Sequence, residues 1–295
     1  TGELATLDQL GVASINLSGV KAGNYDHGNI IATTSTFNFT DGRTGQAADV
    51  WLMTNGALST DTYYEFDHSL VYRYANGEID ELVNSQGRTV NAGAADLEKV
   101  LDVAGNNTLA ATTAPIVTLV GAKGDTLVGG TGADTLVALG DNESVVSGSG
   151  TNTILAAGAN VTVSAAQGSS TIEVSGNSDT VTNTSSSTVL DISGTSASIS
   201  GTGTTITLEG GSSATLFGSS LHVSASKGAT VTLAASSSTL SSSDTIAATI
   251  SGNQDAVTLA DGSTITETGT NETVKLARGG ILLQQFASAT ITGAN

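Results

Sequence analysis

The sequence predicts a mostly β protein, a parallel β-solenoid of about 18 residues per coil preceded by a small β-rich α+β domain. Three observations lead there. Val, Ile and Thr recur in short bursts among 36 glycines with a single proline, Pro115, in a chain of 295 residues. That composition suits many short strands joined by small turns, whereas a disordered tract would carry few β-branched residues and more proline. The aromatic residues are unevenly placed: Tyr25, Phe37, Phe39, Trp51, Tyr63, Tyr64, Phe66, Tyr72 and Tyr74 precede residue 75, and only Phe217 and Phe286 follow. A domain with bulky side chains therefore occupies 1–105, and 106–295 must build its core from aliphatic residues. The third observation is a nine-residue period in that second part.

The first domain reads as strands with short helical pieces. Leu4, Leu7 and Leu10 have helical spacing within Glu3–Leu10. Val12–Leu17 alternates apolar and small polar residues, as a half-buried strand does, and Thr34–Thr40 alternates through Phe37 and Phe39. Asp41-Gly42-Arg43-Thr44-Gly45 is a turn, with Ala47–Met53 as the returning strand. Ala75-Asn76-Gly77 separates Tyr72-Arg73-Tyr74 from Glu78–Val83 as a second hairpin, and Ala94–Leu101 fits a short amphipathic helix closed near Gly105.

In the second domain, steps of nine from Leu127 land on Leu136, Val145, Ile154, Val163, Ile172, Val181, Leu190, Ile199, Leu208 and Phe217, all apolar. The preceding residue is usually hydroxylic: Thr126, Thr135, Ser144, Thr153, Thr162, Thr171 and Thr180. The phase slips after Phe217 and resumes at Ile265, Val274 and Leu283. Nine residues suffice for one short strand and one tight turn, so two units close a coil with two facing parallel sheets. Side chains alternate along a strand, so the apolar positions point inward and the Thr beside each forms an outward ladder. Residues 106 to 291 then make about ten coils, about 48 Å at the usual strand spacing.

Charge excludes several partners. Nine Lys and Arg stand against 27 Asp and Glu, for a net charge of −18. Nucleic acid requires clustered cations, and no apolar run reaches the ~20 residues of a membrane helix, so neither nucleic-acid binding nor membrane insertion is expected. Cysteine is absent, which removes disulfides and thiolate metal sites. Thr1 follows no initiator Met or secretory leader, and the chain reads as a mature or excised piece.

Gly129-Gly130-Thr131-Gly132-Ala133-Asp134-Thr135-Leu136-Val137 resembles the calcium-binding nonapeptide GGxGxDxUx of RTX (repeat-in-toxin) proteins. The preceding unit keeps Gly121, Gly124 and Asp125; the following two keep Glu143, then Gly148, Gly150 and Asn152. Beyond Ala156 the turn chemistry fades while the core period persists. Thr1–Leu7, Leu10–Leu17 and Phe39-Thr40-Asp41-Gly42 with Ala48-Asp49-Val50-Trp51 also resemble a segment of large secreted RTX-type proteins. The resemblance implies type I secretion from a Gram-negative bacterium and a few calcium ions between turns one coil apart. It pairs Asp125 with Glu143 and Asp134 with Asn152, whose oxygens suit a hard cation. It implies no activity.

No enzymatic constellation stands out. His27, His68 and His222 are scattered. The solenoid has only Lys123, Lys227, Lys275 and Arg278 as cations and neither Tyr nor Trp for sugar stacking. Regular Thr on one face, Thr162/Ser164, Thr180/Thr182 and Ser198/Ser200, would also suit ice, although Thr is an ordinary solvent-facing strand residue. The expectation is a non-enzymatic secreted or cell-surface protein: a surface-layer, matrix-fibre, biofilm or adhesin component. It would form a homo-oligomer or head-to-tail filament, with cell-surface polysaccharide as a further partner. The alternative is a secreted carbohydrate-active or carbohydrate-binding module. Gly279-Gly280-Ile281-Leu282-Leu283-Gln284-Gln285-Phe286, the most apolar run of the second half, is the expected contact.

Overall fold

A computed structural model describes residues 11–16, 20–26, 29–51, 62–66, 69–74, 78–92, 97–112, 116–165, 167–183, 189–284 and 288–293. Glu3–Leu10, His27, His68 and Phe286 lie outside them. The chain divides into two units, Thr1–Glu65 with Tyr72–Gly77, and Phe66–Val71 with Glu78–Asn295.

The first unit holds an antiparallel sheet of β1 (Val12–Ile15), β2 (Val20–Asp26), β3 (Asn29–Phe39) and β4 (Thr44–Trp51). β3 is long enough for β1 and β2 to pair with successive stretches of it, while β4 runs beside it from Ile30 to Asn38. The expected hairpin is present. Gly42 turns with φ +84°, which an L side chain resists, and its N–H donates to the Phe39 carbonyl at 3.0 Å. The Asp41 carboxylate accepts from the Arg43 backbone at 3.1 Å, and the Arg43 guanidinium covers the Phe39 ring at 4.8 Å.

The second unit is a parallel solenoid of about 11 turns and about 17 residues per turn. Successive strands alternate between two sheets, and each pairs with the strand one full coil away. One sheet runs through twelve strands from Thr89–Asn91 to Ile281–Gln284 among the described residues; the other includes Ile79–Val83 and ends at Ser288–Gly293. The parallel sheets therefore take in residues 79–105 as well as the aliphatic second half.

The core is a set of stacked columns. Leu127, Val145, Val163, Val181 and Ile199 lie in register at 18-residue steps, followed by Leu216, Leu233 and Ile250 at steps of 17. Opposite them stand Leu136, Ile154, Ile172, Leu190, Ile206 and Val223. All ten positions expected inward from Leu127 to Leu208 are fully buried. Thr153, Thr162, Thr171 and Thr180 are exposed on the outer faces, with Thr126 and Thr135 half-buried there.

Three expectations need correction. Phe217 is 42% exposed rather than inward, because the shorter coil brings Leu216 into the core column. Leu283 is 54% exposed for the same reason: Leu282 takes the inward place against the core. Within the expected helix Ala94–Leu101, the described end belongs instead to the strand Lys99–Asp102, with Val100 and Asp102 inward. Parallel partners on both sides, Asp80–Val83 and Thr118–Val120, fill its backbone hydrogen bonds, and that pairing outweighs a weak helical spacing. No helix occurs among the described residues.

Close stacking is written into the corners. A side chain at Gly158, Gly176 or Gly194 would run into the carbonyl of the glycine one coil earlier, Gly140, Gly158 and Gly176 respectively. Left-handed residues recur one per coil, Asn142 (φ 62°), Asn160 (57°), Ser178 (63°) and Ser196 (59°). The N–H groups of Asn142, Asn160 and Ser178 each donate to a carbonyl in the next coil at 2.8–2.9 Å.

Candidate metal centre

At each corner the chain leaves one strand for the other sheet, and a backbone N–H loses its ladder partner. The residue just before the following strand is inward and small, polar or apolar. At several corners it is Asp, Asn, Glu or Ser, and its side chain reaches one coil back and accepts that N–H, as Asp125, Asn152, Glu272 and Ser238 do. Asn107 N–H donates to Asp125 Oδ1 at 2.8 Å, Val117 N–H to Asp134 Oδ1 at 3.0 Å, and Asp134 N–H to Asn152 Oδ1 at 3.0 Å. Buried backbone donors are costly when unpaired, so these side chains have a structural task before any metal is considered.

The four sequence-predicted site residues fall on two corners. Asp125 precedes Thr126 and Glu143 precedes Ser144, one coil apart in register; Asp134 and Asn152 stand likewise before Thr135 and Thr153. The expected pairings are thus neighbours along the coil axis. All four are about 1% exposed, inside the corners rather than on the solvated edge.

Their electrostatics differ. Asp134 spends both oxygens on backbone donors, Val117 N–H and Gly130 N–H at 2.6 Å. Gly129 and Gly130 are required there, since side chains would strike the carbonyls of Ser147 and Thr112. Asn152 donates its amide to the carbonyls of Ser147 and Gly150. Asp125 also accepts two backbone bonds, from Asn107 and from Ala122 at 2.7 Å. Burial nevertheless pushes its carboxyl up to about 7, with the neighbouring Asp102 adding to the rise. Burial raises Glu143 to about 8, with Asp125 and Asp102 contributing like charge. Glu143 Oε1 accepts from Gly140 N–H, while its Oε2 is buried with no hydrogen-bond partner.

Asp102, Asp125 and Glu143 therefore crowd negative charge into a corner where backbone N–H groups and the Asn107 amide are their donors. Hard oxygen donors and an unsatisfied carboxylate oxygen fit a calcium ion there. Among the described residues no three Asp, Glu, His or Cys side chains form a ready metal-holding group, so carbonyls would have to complete any coordination shell.

The family model of the RTX calcium-binding nonapeptide repeat matches residues 120–154 in four copies. Residues 120–154 thus carry RTX-type repeats, and the parallel solenoid around them is consistent with an RTX-type β-roll. RTX nonapeptides are calcium-binding, and they are typical of proteins that leave Gram-negative bacteria by type I secretion. A second family model, the SPM domain, matches residues 1–53. No curated protein and no solved structure matches the chain.

The RTX match ends where the motif reading does, yet the corner chemistry goes on. Asp179, Asp255, Glu267 and Glu272 are also buried, and each has one oxygen without a hydrogen-bond partner. Sequence reasoning passed over them. The signal was available: Asp179 stands before Thr180 as Asp134 stands before Thr135, and Gly176, Gly252 and Gly269 each precede an acid by three residues.

His222 is exposed on its strand with Nδ1 3.2 Å from Thr239 Oγ1. A shallow cavity of about 460 Å³ is lined by serines from 224 to 243 with Asp244, and one of about 500 Å³ by Lys227, Asp244 and Asp261 among others. Neither has a histidine or an aromatic ring in its lining.

Proposed function

We propose that this RTX-type protein is a non-enzymatic component of an extracellular assembly, a surface layer, matrix fibre or adhesin. In this reading copies meet end to end through the last coil. The supporting observation is the state of that coil. Ile291 continues the core column of Val274, which is fully buried, yet Ile291 is 46% exposed. Ile281 and Leu283 add exposures of 56% and 54% on the outer face of the neighbouring strand. Among the described residues these strands pair on one side only, and apolar surface beside such an edge is a template for a further parallel strand. A heterologous contact repeated copy after copy yields a filament or lattice. Cell-surface polysaccharide is the further partner in this reading, and the hydroxyl-lined cavities are where it would be sought.

Electron microscopy and sedimentation of the purified protein in calcium test the proposal. Ordered polymers are expected. Ile281→Asp with Leu283→Asp should leave a folded protein that sediments as single copies, because both side chains already face solvent. A wild-type protein that stays monomeric at high concentration overturns the reading, and turnover of a polysaccharide would replace it with the carbohydrate-active alternative.

A further inference from the structure

The column Leu216–Leu233–Ile250 is apolar and fully buried, and the next residue in register is Glu267, equally buried. A carboxylate in an apolar column is expensive unless something compensates its charge. Its Oε1 accepts the Gly269 N–H at 2.6 Å, but Oε2 has no partner. Three residues past that glycine, in the strand Thr270–Leu276 of the opposite sheet, Glu272 gives Oε2 to the Asp255 N–H and leaves Oε1 unpartnered. Asp255, one coil earlier on the same corner, gives Oδ1 to Ser238 N–H at 2.7 Å and leaves Oδ2 unpartnered. The charges acting on Glu272 are those of Asp255 and Glu267, both negative.

The geometry around Gly269 says which oxygens a compensating charge would meet. The side of its Cα where a side chain would begin is ringed by oxygen: Glu272 Oε1 2.6 Å from the Cβ position, Glu267 Oε1 at 3.1 Å, and the carbonyl of Gly252 closer still. Two carboxylates and a carbonyl, all hard donors, thus converge beside the Gly269 Cα, where a larger residue would drive them apart. Asp255 adds a further negative charge beside it.

We propose that Glu267, Glu272 and the Gly252 carbonyl form a divalent-cation site, of the kind that takes calcium, near the end of the solenoid and outside the nonapeptide repeats. Carboxylate and carbonyl donors favour calcium or magnesium over softer ions, and a backbone carbonyl from a neighbouring coil suits the less demanding geometry of calcium. The ion would tie the coil of Gly252 to that of Glu272. It would also supply the positive charge that Glu267 lacks in an otherwise apolar column.

Calorimetric titration of the whole protein with calcium, after chelator treatment, tests this in three forms: wild type, Glu267→Gln with Glu272→Gln, and Asp125→Asn with Glu143→Gln. The first variant should lose one class of sites or bind it at least tenfold more weakly, while the second retains that class. Unchanged stoichiometry and affinity in Glu267→Gln/Glu272→Gln overturn the proposal. Should that variant misfold, hydrogen exchange on the wild type decides. Calcium should slow exchange across Thr264–Glu267 and Thr270–Leu276 more than sodium chloride of equal ionic strength does. Equal slowing by the two salts, or protection gained only by acidification, overturns the site.

Discussion

At the scale of single residues, the solenoid turns on what each buried corner acid does with its second oxygen. Asp179 is the simplest case, far from the repeats. Its Oδ1 accepts Val161 N–H at 2.8 Å, and its partnerless Oδ2 lies against Gly176, the side on which the Gly158 carbonyl also sits. Burial holds the carboxyl at about 6, above its ordinary 3.8. Between those values the folded chain binds more protons than the unfolded one. The contribution of Asp179 to stability is therefore fully present below about pH 4 and is lost as pH rises through about 6. Asp179→Asn should remove that loss and turn an acceptor facing a carbonyl into a donor, as Asn152 already does toward Ser147 and Gly150. Urea unfolding should find the variant more stable than wild type by roughly 1–3 kcal/mol at pH 8, with the gap closing toward pH 4. A variant less stable at pH 8 would contradict the account. Asp134 differs in its bonding, because both its oxygens accept backbone N–H groups. Asp134→Ala orphans Val117 N–H and Gly130 N–H, and should cost about 2–4 kcal/mol even in chelator, measured by the same unfolding.

At the scale of the coil, register and close approach dominate. Gly158→Ala puts a methyl into the Gly140 carbonyl, and the coils cannot separate without breaking the ladders on either side. A loss of about 3 kcal/mol or more is expected by thermal or urea unfolding. Gly42→Ala meets no neighbouring atom and suffers only from its left-handed backbone, so it should cost about 1 kcal/mol. The coil was legible in the sequence because the side-chain period is fixed: from Leu127 to Leu208 one apolar residue every nine positions marked the inward face. It ceased to be legible where the coil shortened. From Ile199 to Leu216 the step is 17, and a nine-residue count lands on Phe217 instead. Nothing local announces that lost residue, since the inward Leu216 and outward Phe217 are adjacent and both apolar. The candidate site was legible only as far as glycine spelled out the turn. Asp125, Asp134, Glu143 and Asn152 were found by their motif; Asp102, Asp179, Asp255, Glu267 and Glu272 were missed because a carboxylate in a Ser- and Thr-rich chain reads as surface until register places it inside.

At the scale of the whole molecule, calcium should not act evenly. Between about residues 180 and 240 the aliphatic columns continue unbroken while the turns are mostly Ser, Thr and Gly. In chelator, hydrogen exchange should find strands from Thr180–Asn183 to Thr239–Ser242 as protected as in calcium, with the added protection confined to the coils of Asp125–Asn152 and Gly252–Glu272. Uniform gain along the solenoid would show instead that calcium works through long-range cooperativity. The corner bonds also give the stack an arrow. The buried N–H groups of Asn107, Val117, Asp134, Val161, Ser238 and Asp255 all look to a side chain in the following coil, whereas the exposed turns of Ala159 and Thr195 look back to Asp141 and Asn177. A chain ordering from its N-terminal side thus leads, at these buried corners, with bare donors waiting for coils that have yet to form. A chain ordering from its C-terminal side leads with acceptors already in place, each a seat for the coil that arrives next. At its buried corners the stack is thus primed like a zipper that closes toward the N-terminus.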